Sequence, residues 1–170
     1  MYKGWQIARW ETPVVDRDRV LMVSLIDTGG ELVLVFEDTE SSERLRWRVR
    51  FRKYPAYRNI DERYRVALWR WLDESGQRCG FTFTVTEPVP FASWDTDYLH
   101  DMVPATRHFV IATNDDVIEV LSGEEPVWEG IAAAAPDDPV PVKSIHLYVG
   151  EDDDAIHRLS ADLKDRNRPQ

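Results

Sequence analysis

Five arginines alternate with four large apolar residues between positions 44 and 52. Arg44, Arg46, Arg48, Arg50 and Arg52 enclose Leu45, Trp47, Val49 and Phe51. Alternation of this length marks a β-strand, because successive strand side chains point to opposite faces while a helix would scatter both sets around its axis. One face of this strand is cationic and the other apolar. Such a chain must either supply acids to the cationic face or offer that face to a partner. Residues 44–70 hold ten Lys/Arg against Asp61 and Glu62, a balance of +8 in a protein of net charge −10.

The neighbouring segments extend this strand into a sheet. Residues 20–26 read as a strand that ends in Asp27-Thr28-Gly29-Gly30, a strong turn signal, and residues 31–37 read as the next strand. Pairing 31–37 with 44–52 through a loop at 39–43 places Leu32 opposite Val49, Leu34 opposite Trp47 and Phe36 opposite Leu45. The other face then sets Glu31 against Arg50 and Glu37 against Arg44. A one-residue slip would bury charge, so the register is expected to be well specified.

Beyond this sheet, Asn59 and Glu62 have capping-box spacing. Ile60, Tyr64, Ala67, Leu68, Trp71 and Leu72 recur on one helical face, and Gly76 provides a stop. Residues 79–85 return to strand, with Pro88 and Pro90 ending it. Residues 93–102 suit a short helix, while 107–112 and 117–121 form a hairpin across Asn114-Asp115-Asp116. A strand at 144–149 and a helix from Asp152 to Asp165, with Ile156, Leu159 and Leu163 inward, close the chain. The pattern predicts an α+β fold, a single domain with a mainly antiparallel sheet of about seven strands and two or three helices. Its organisation reads as a main domain over 1–130, an Ala/Pro-rich linker over 131–142 and a strand-helix extension over 143–170.

Composition narrows the function classes. An apolar fraction of 43% with seven tryptophans suits a folded globule. One cysteine, Cys79, excludes an internal disulfide framework and, entering an apolar strand, reads as a buried structural thiol. No segment has the apolar character of a signal or a membrane span, so the expectation is a cytoplasmic protein with no membrane partner. The acidic balance makes nucleic acid an unfavourable partner and a basic protein a favourable one.

Candidate chemistry is sparse. Asp95, Asp97, His100 and Asp101 form the densest ligand-type cluster, but their spacing matches no established metal motif and suits a solvated helix start. His108 opens an apolar strand and reads as a satisfied structural histidine. Ser122, Ser144 and Ser160 lack a nucleophile elbow, and the run Glu151–Asp154 suits the start of a helix. No catalytic residue, cofactor or metal is therefore assigned. The acids between Phe109 and Val142 stand apart, because no Lys or Arg accompanies them. Asp115, Asp116, Glu119, Glu124, Glu125 and Glu129 surround the hairpin and its exit, beside Trp128. Carboxylates with an aromatic anchor suit the occlusion of a basic partner, so Asp115, Asp116, Glu119, Glu124, Glu125 and Trp128 are the expected partner-binding set.

Two blocks carry a resemblance over about residues 45–128. Phe51-Arg52-Lys53-Tyr54-Pro55-Ala56-Tyr57-Arg58-Asn59-Ile60-Asp61 is one. The other combines His108-Phe109, Asp116-Val117-Ile118-Glu119-Val120-Leu121 and Pro126. They resemble segments of a group of small uncharacterised bacterial proteins, some of which look like toxin-immunity proteins. The chain departs from that group at Glu87-Pro88-Val89-Pro90 and after Ile131. The resemblance implies a non-enzymatic immunity protein that neutralises a cognate toxin with a basic surface by steric and electrostatic occlusion. Two alternatives have their own residues: a metal-dependent hydrolase using Asp95, Asp97, His100 or His108, and a nucleic-acid-binding module using the Arg44–Arg52 face.

Overall fold

Trp47, Val49 and Phe51 are all buried, while the arginines between them are half-buried on the other face, as the alternation requires. In the computed structural model, which describes residues 2, 4–87, 94, 106–138 and 145–148, this strand is central to one of two sheets. The elements are β1 (Gln6–Arg9), β2 (Val20–Asp27), β3 (Glu31–Asp38), β4 (Arg46–Arg52), β5 (Ala56–Asp61), a 3-10 turn (Glu62–Arg65), α1 (Val66–Ser75), β6 (Thr82–Thr86), β7 (Arg107–Ala112), β8 (Asp116–Ser122), β9 (Val127–Ile131) and β10 (Ile145–Tyr148). Sheet I has the order β10-β2-β3-β4-β9 and sheet II the order β1-β6-β7-β8-β5. All neighbours are antiparallel except β10, which lies parallel to β2.

The two sheets share one core. Leu32, Leu34, Phe36, Trp47, Val49 and Phe51 from sheet I meet Phe109, Ile111, Ile118 and Val120 from sheet II. The alternate residues of sheet II, Val110, Ala112, Val117, Phe83 and Val85, form a second cluster with Leu68 and Leu72 of α1 and with Tyr2 and Trp5. Sheet II is thus apolar on both faces, which explains the continuous burial of β8 from Asp116 to Ser122. Helix α1 ends at Gly76, whose φ of 67° is the left-handed conformation that a glycine adopts without steric cost.

The α+β expectation is corrected. Among the described residues the fold is mainly β, with ten strands in two sheets and one α-helix. Two of the three expected helices fall at 93–102, where only Trp94 is described, and at 152–165, outside the described residues. The third starts later than its capping-box spacing suggested. Residues 56–61 pair with β8 as an edge strand, Asp61 caps the 3-10 turn, its carboxylate accepting the Arg63 N–H at 3.0 Å, and α1 follows from Val66 with no side-chain cap. Strands β1, β5 and β9 escaped the sequence reading because each is a short edge strand without clean alternation, so its partner rather than its own pattern makes it a strand.

The β3–β4 register is also corrected. Leu34 faces Val49 and Phe36 faces Trp47, while Glu31 faces Arg52 and Glu37 faces Arg46. Every pair moves by two residues, which preserves both faces. The loop is longer than expected because Arg44 leaves the strand with a φ of 47°.

Candidate functional site: a buried charge network and an acidic corner

Glu119 lies in the middle of the apolar run Val117–Leu121 of β8 and is fully buried. A carboxylate there is stable only if cations meet it, since an unpaired buried charge is prohibitively costly. Three groups do so. Arg58 of β5 donates to Oε2 at 2.6 Å, and Arg65 of the 3-10 turn donates to Oε1. His108 Nε2 stands 2.9 Å from the same Oε2, while its Nδ1 is 3.2 Å from Glu87 Oε1 at the end of β6. Trp5 and Trp94 set ring edges against the imidazole, at centroid distances of 5.6 and 5.7 Å. The Arg58 guanidinium in turn lies 4.6 Å above the Trp94 ring.

The electrostatics follow from this geometry. Burial raises the Glu119 carboxyl, but hydrogen bonds from His108 and Arg58 outweigh it and lower its pKa to about 2. Burial pulls His108 down, but its hydrogen bonds to Glu119 and Glu87 outweigh that and leave its pKa raised. Both ring nitrogens face carboxylates, an arrangement that favours the imidazolium, in which both N–H groups donate and no lone pair is left to accept a proton or bind a metal. Its burial and saturation make it a structural cation.

The arginine face is also paired from within sheet I, three carboxylates meeting five guanidinium groups. Arg44 and Arg46 clamp Glu37, each with Nε at 2.7 Å from a different carboxylate oxygen. Arg48 and Arg50 share Glu129 of β9 at 2.5 and 3.4 Å, and Arg52 reaches Glu31 at 3.3 Å.

The expected partner-binding residues do not gather into one patch. Asp115 is exposed at the β7–β8 turn, and Asp116 is buried there, accepting from Asn59 Nδ2 at 2.9 Å. Glu119 belongs to the buried network. Trp128 turns inward, stacking on Phe36 at 5.8 Å and meeting Trp10 edge-on at 5.8 Å. Glu124 and Glu125 sit at the β8–β9 corner, about 20 Å along β8 from Asp115 at 3.4 Å per residue. They are exposed and paired with Lys53 and Arg107 respectively. Gly123 N–H donates to the Lys53 carbonyl at 3.0 Å, which binds this corner to the β4–β5 turn. Val127, the next outward residue, is 52% exposed.

Asp95, Asp97, His100 and Asp101 lie outside the described residues. Among the described residues, no group of three or more His, Cys, Asp and Glu side chains is placed to hold a metal ion. Cys79 is buried, and desolvation pushes its thiol up to about 11. No described helix is long and apolar enough to cross a membrane. Sequence reasoning missed Arg58 and Arg65 as partners of Glu119, and Glu87 as a partner of His108. The available signal was the lone carboxylate inside Val117–Leu121, which demands buried cations without naming them. Comparison of the chain with protein-family models, characterised proteins and solved structures finds no match.

Proposed function

We propose that the protein is a non-enzymatic binding protein, and in its specific form an immunity protein that occludes a cognate bacterial toxin bearing a basic surface. The observation that carries this reading is the β8–β9 corner. Val127 is exposed there, two residues after the exposed carboxylates Glu124 and Glu125. An apolar contact rimmed by like charge suits a partner with an apolar spot and Lys/Arg around it. The ion pairs of Glu124 with Lys53 and Glu125 with Arg107 are solvent-exposed, and exposed pairs contribute only about 0–1 kcal/mol. Cations of a partner can therefore replace Lys53 and Arg107 at small cost.

Saturation of His108 and Glu119 supports the non-enzymatic side of the reading, since the general acid-base groups most deeply set in the fold are spent on each other. The test is co-expression with a toxin encoded beside this gene, followed by binding kinetics on the purified pair. The wild type should protect the cell and bind. Glu124→Lys with Glu125→Lys should slow association and weaken its dependence on salt. A wild-type protein that binds no neighbouring gene product would overturn the proposal.

A further inference from the structure

Sheet I ends at β9, and among the described residues no strand pairs with its far side. The register shows which backbone groups that edge presents. Asp38 N–H donates to the Leu45 carbonyl at 3.0 Å, and this pair continues the β3–β4 register. Along an antiparallel strand the backbone groups of successive residues point to opposite neighbours. Trp47, Val49 and Phe51 therefore bond to β3, while Arg46, Arg48 and Arg50 bond to Ile131, Glu129 and Val127 of β9. The N–H and C=O groups of Trp128 and Gly130 are left pointing out of the sheet.

This edge lacks the devices that guard the edges of sheet II. On β1 the Ile7 N–H is taken by Gln77 Oε1 at 2.9 Å, and β5 carries Arg58 and Asp61. Strand β9 holds no Lys, no Pro and no register break, and its single charge, Glu129, is turned to Arg48 and Arg50. Gly130 is exposed, and a β-carbon added there would meet nothing within 4 Å. Beside Trp128, on the core side, the edge can therefore take an apolar side chain of an added strand. On the outer side it shows Val127 and Glu129, with Glu124 and Glu125 at the corner before it.

We propose that an extended, basic segment of a protein partner adds to β9 as a further antiparallel strand of sheet I. The inference rests on the binding-protein reading above and gives it a mode of contact, in which main-chain bonds supply affinity and alternate side chains supply specificity. The added backbone bonds Trp128 and Gly130, and its apolar residues face the core side over Gly130. Its Lys or Arg stems cover Val127, with their charges toward Glu124, Glu125 and Glu129. Charge decides the occupant. A second copy would set those three acids against themselves in a protein of net charge −10, whereas a cationic strand complements them.

The test is an NMR titration of the full chain with a short synthetic peptide of alternating Lys and Val. Amide exchange at Trp128 and Gly130 should be fast in the free protein and slow in the complex, while Val127, Glu129 and Ile131 stay protected in both. Methylating the Val amides of the peptide, which oppose Trp128 and Gly130, should abolish binding, and methylating its Lys amides should not. A peptide with Glu in place of Lys should not bind. Proline suits an edge position whose N–H faces solvent, so Gly130→Pro should fold and weaken the peptide roughly tenfold or more. Absence of binding, or binding that leaves exchange at Trp128 and Gly130 unchanged, would overturn the proposal. So would protection of these two amides in the free protein that grows with its concentration, because the occupant would then be a second copy. The peptide assay uses no toxin, so a protein that binds the peptide and no neighbouring gene product would sink the immunity reading alone.

Discussion

The imidazole Nε2 of His108 on β7 sits 2.9 Å from Oε2 of Glu119 on β8, with both side chains buried between α1, the N-terminal segment and sheet II. The two residues are diagonal across the strand pair, since His108 is registered with Leu121 and Glu119 with Val110. Glu119 thereby joins β5, β7, β8 and the 3-10 turn through one carboxylate. Replacing it by Gln keeps the shape and leaves Arg58, Arg65 and His108 facing a neutral group. Glu119→Gln should destabilise the fold by about 3–5 kcal/mol, the range for breaking a buried ion pair from one side. Urea titration measures it, and a loss under about 1 kcal/mol would mean that the network is not a stabilising element.

The same network sets the pH dependence of stability. The His108 pKa is raised on folding, so its contribution is complete below the unfolded value of 6.5 and is lost as pH rises through the folded value. The Glu119 pKa is lowered from 4.5 to about 2, so its contribution is present above 4.5 and is lost as pH falls toward 2. Stability should therefore decline on both sides of a plateau between these unfolded values. His108→Gln should flatten the alkaline limb, measured by denaturant titrations at successive pH values, and should also shrink the acid limb, because the His108 hydrogen bond is the first cause that lowers the Glu119 pKa.

The two faces of β4 should respond unequally to truncation. Trp47 is 8% exposed in the shared core, and Trp47→Ala should cost about 3–5 kcal/mol. Arg48→Ala removes one half-exposed pair with Glu129 and should cost about 1 kcal/mol or less. Trp128→Ala falls on the core side of β9, against Phe36 and Trp10, and should cost about 3 kcal/mol of folding stability whatever it does to binding. Equal losses for Trp47→Ala and Arg48→Ala would contradict the assigned faces.

Two glycines with similar backbone angles should differ in tolerance. Gly76 has a φ of 67° with open space around its α-carbon, so Gly76→Ala should cost about 1–2 kcal/mol, the left-handed penalty alone. At Gly80 the φ is 70°, and an added β-carbon would stand 2.3 Å from the backbone carbonyl oxygen of Val15. That oxygen also accepts the Phe81 N–H at 3.0 Å, so it cannot withdraw without losing a hydrogen bond. Gly80→Ala should be clearly the more destabilising in thermal melts.

Several elements were legible without the structure because their information is local. The faces of β3 and β4, the turn at Asp27–Gly30, the β7–β8 hairpin and the stop at Gly76 all follow from period, turn chemistry and glycine conformation. The register of β3 on β4 was not legible, because a period of two is unchanged by a shift of two. What decided it is the loop, where Asp38 N–H donates to the Leu45 carbonyl at 3.0 Å, the Asp38 carboxylate accepts from Glu40 and Ser41, and Arg44 takes a left-handed backbone. The fate of the acids was equally hidden. Glu119 sits in an apolar run and Glu125 in a Gly-Glu-Glu-Pro turn, but neither segment names its partner: one is sealed among Arg58, Arg65 and His108, and the other pairs with Arg107 in solvent. A side chain's burial depends on which strands the chain brings beside it, and for β5 and β8 those partners lie some sixty residues apart.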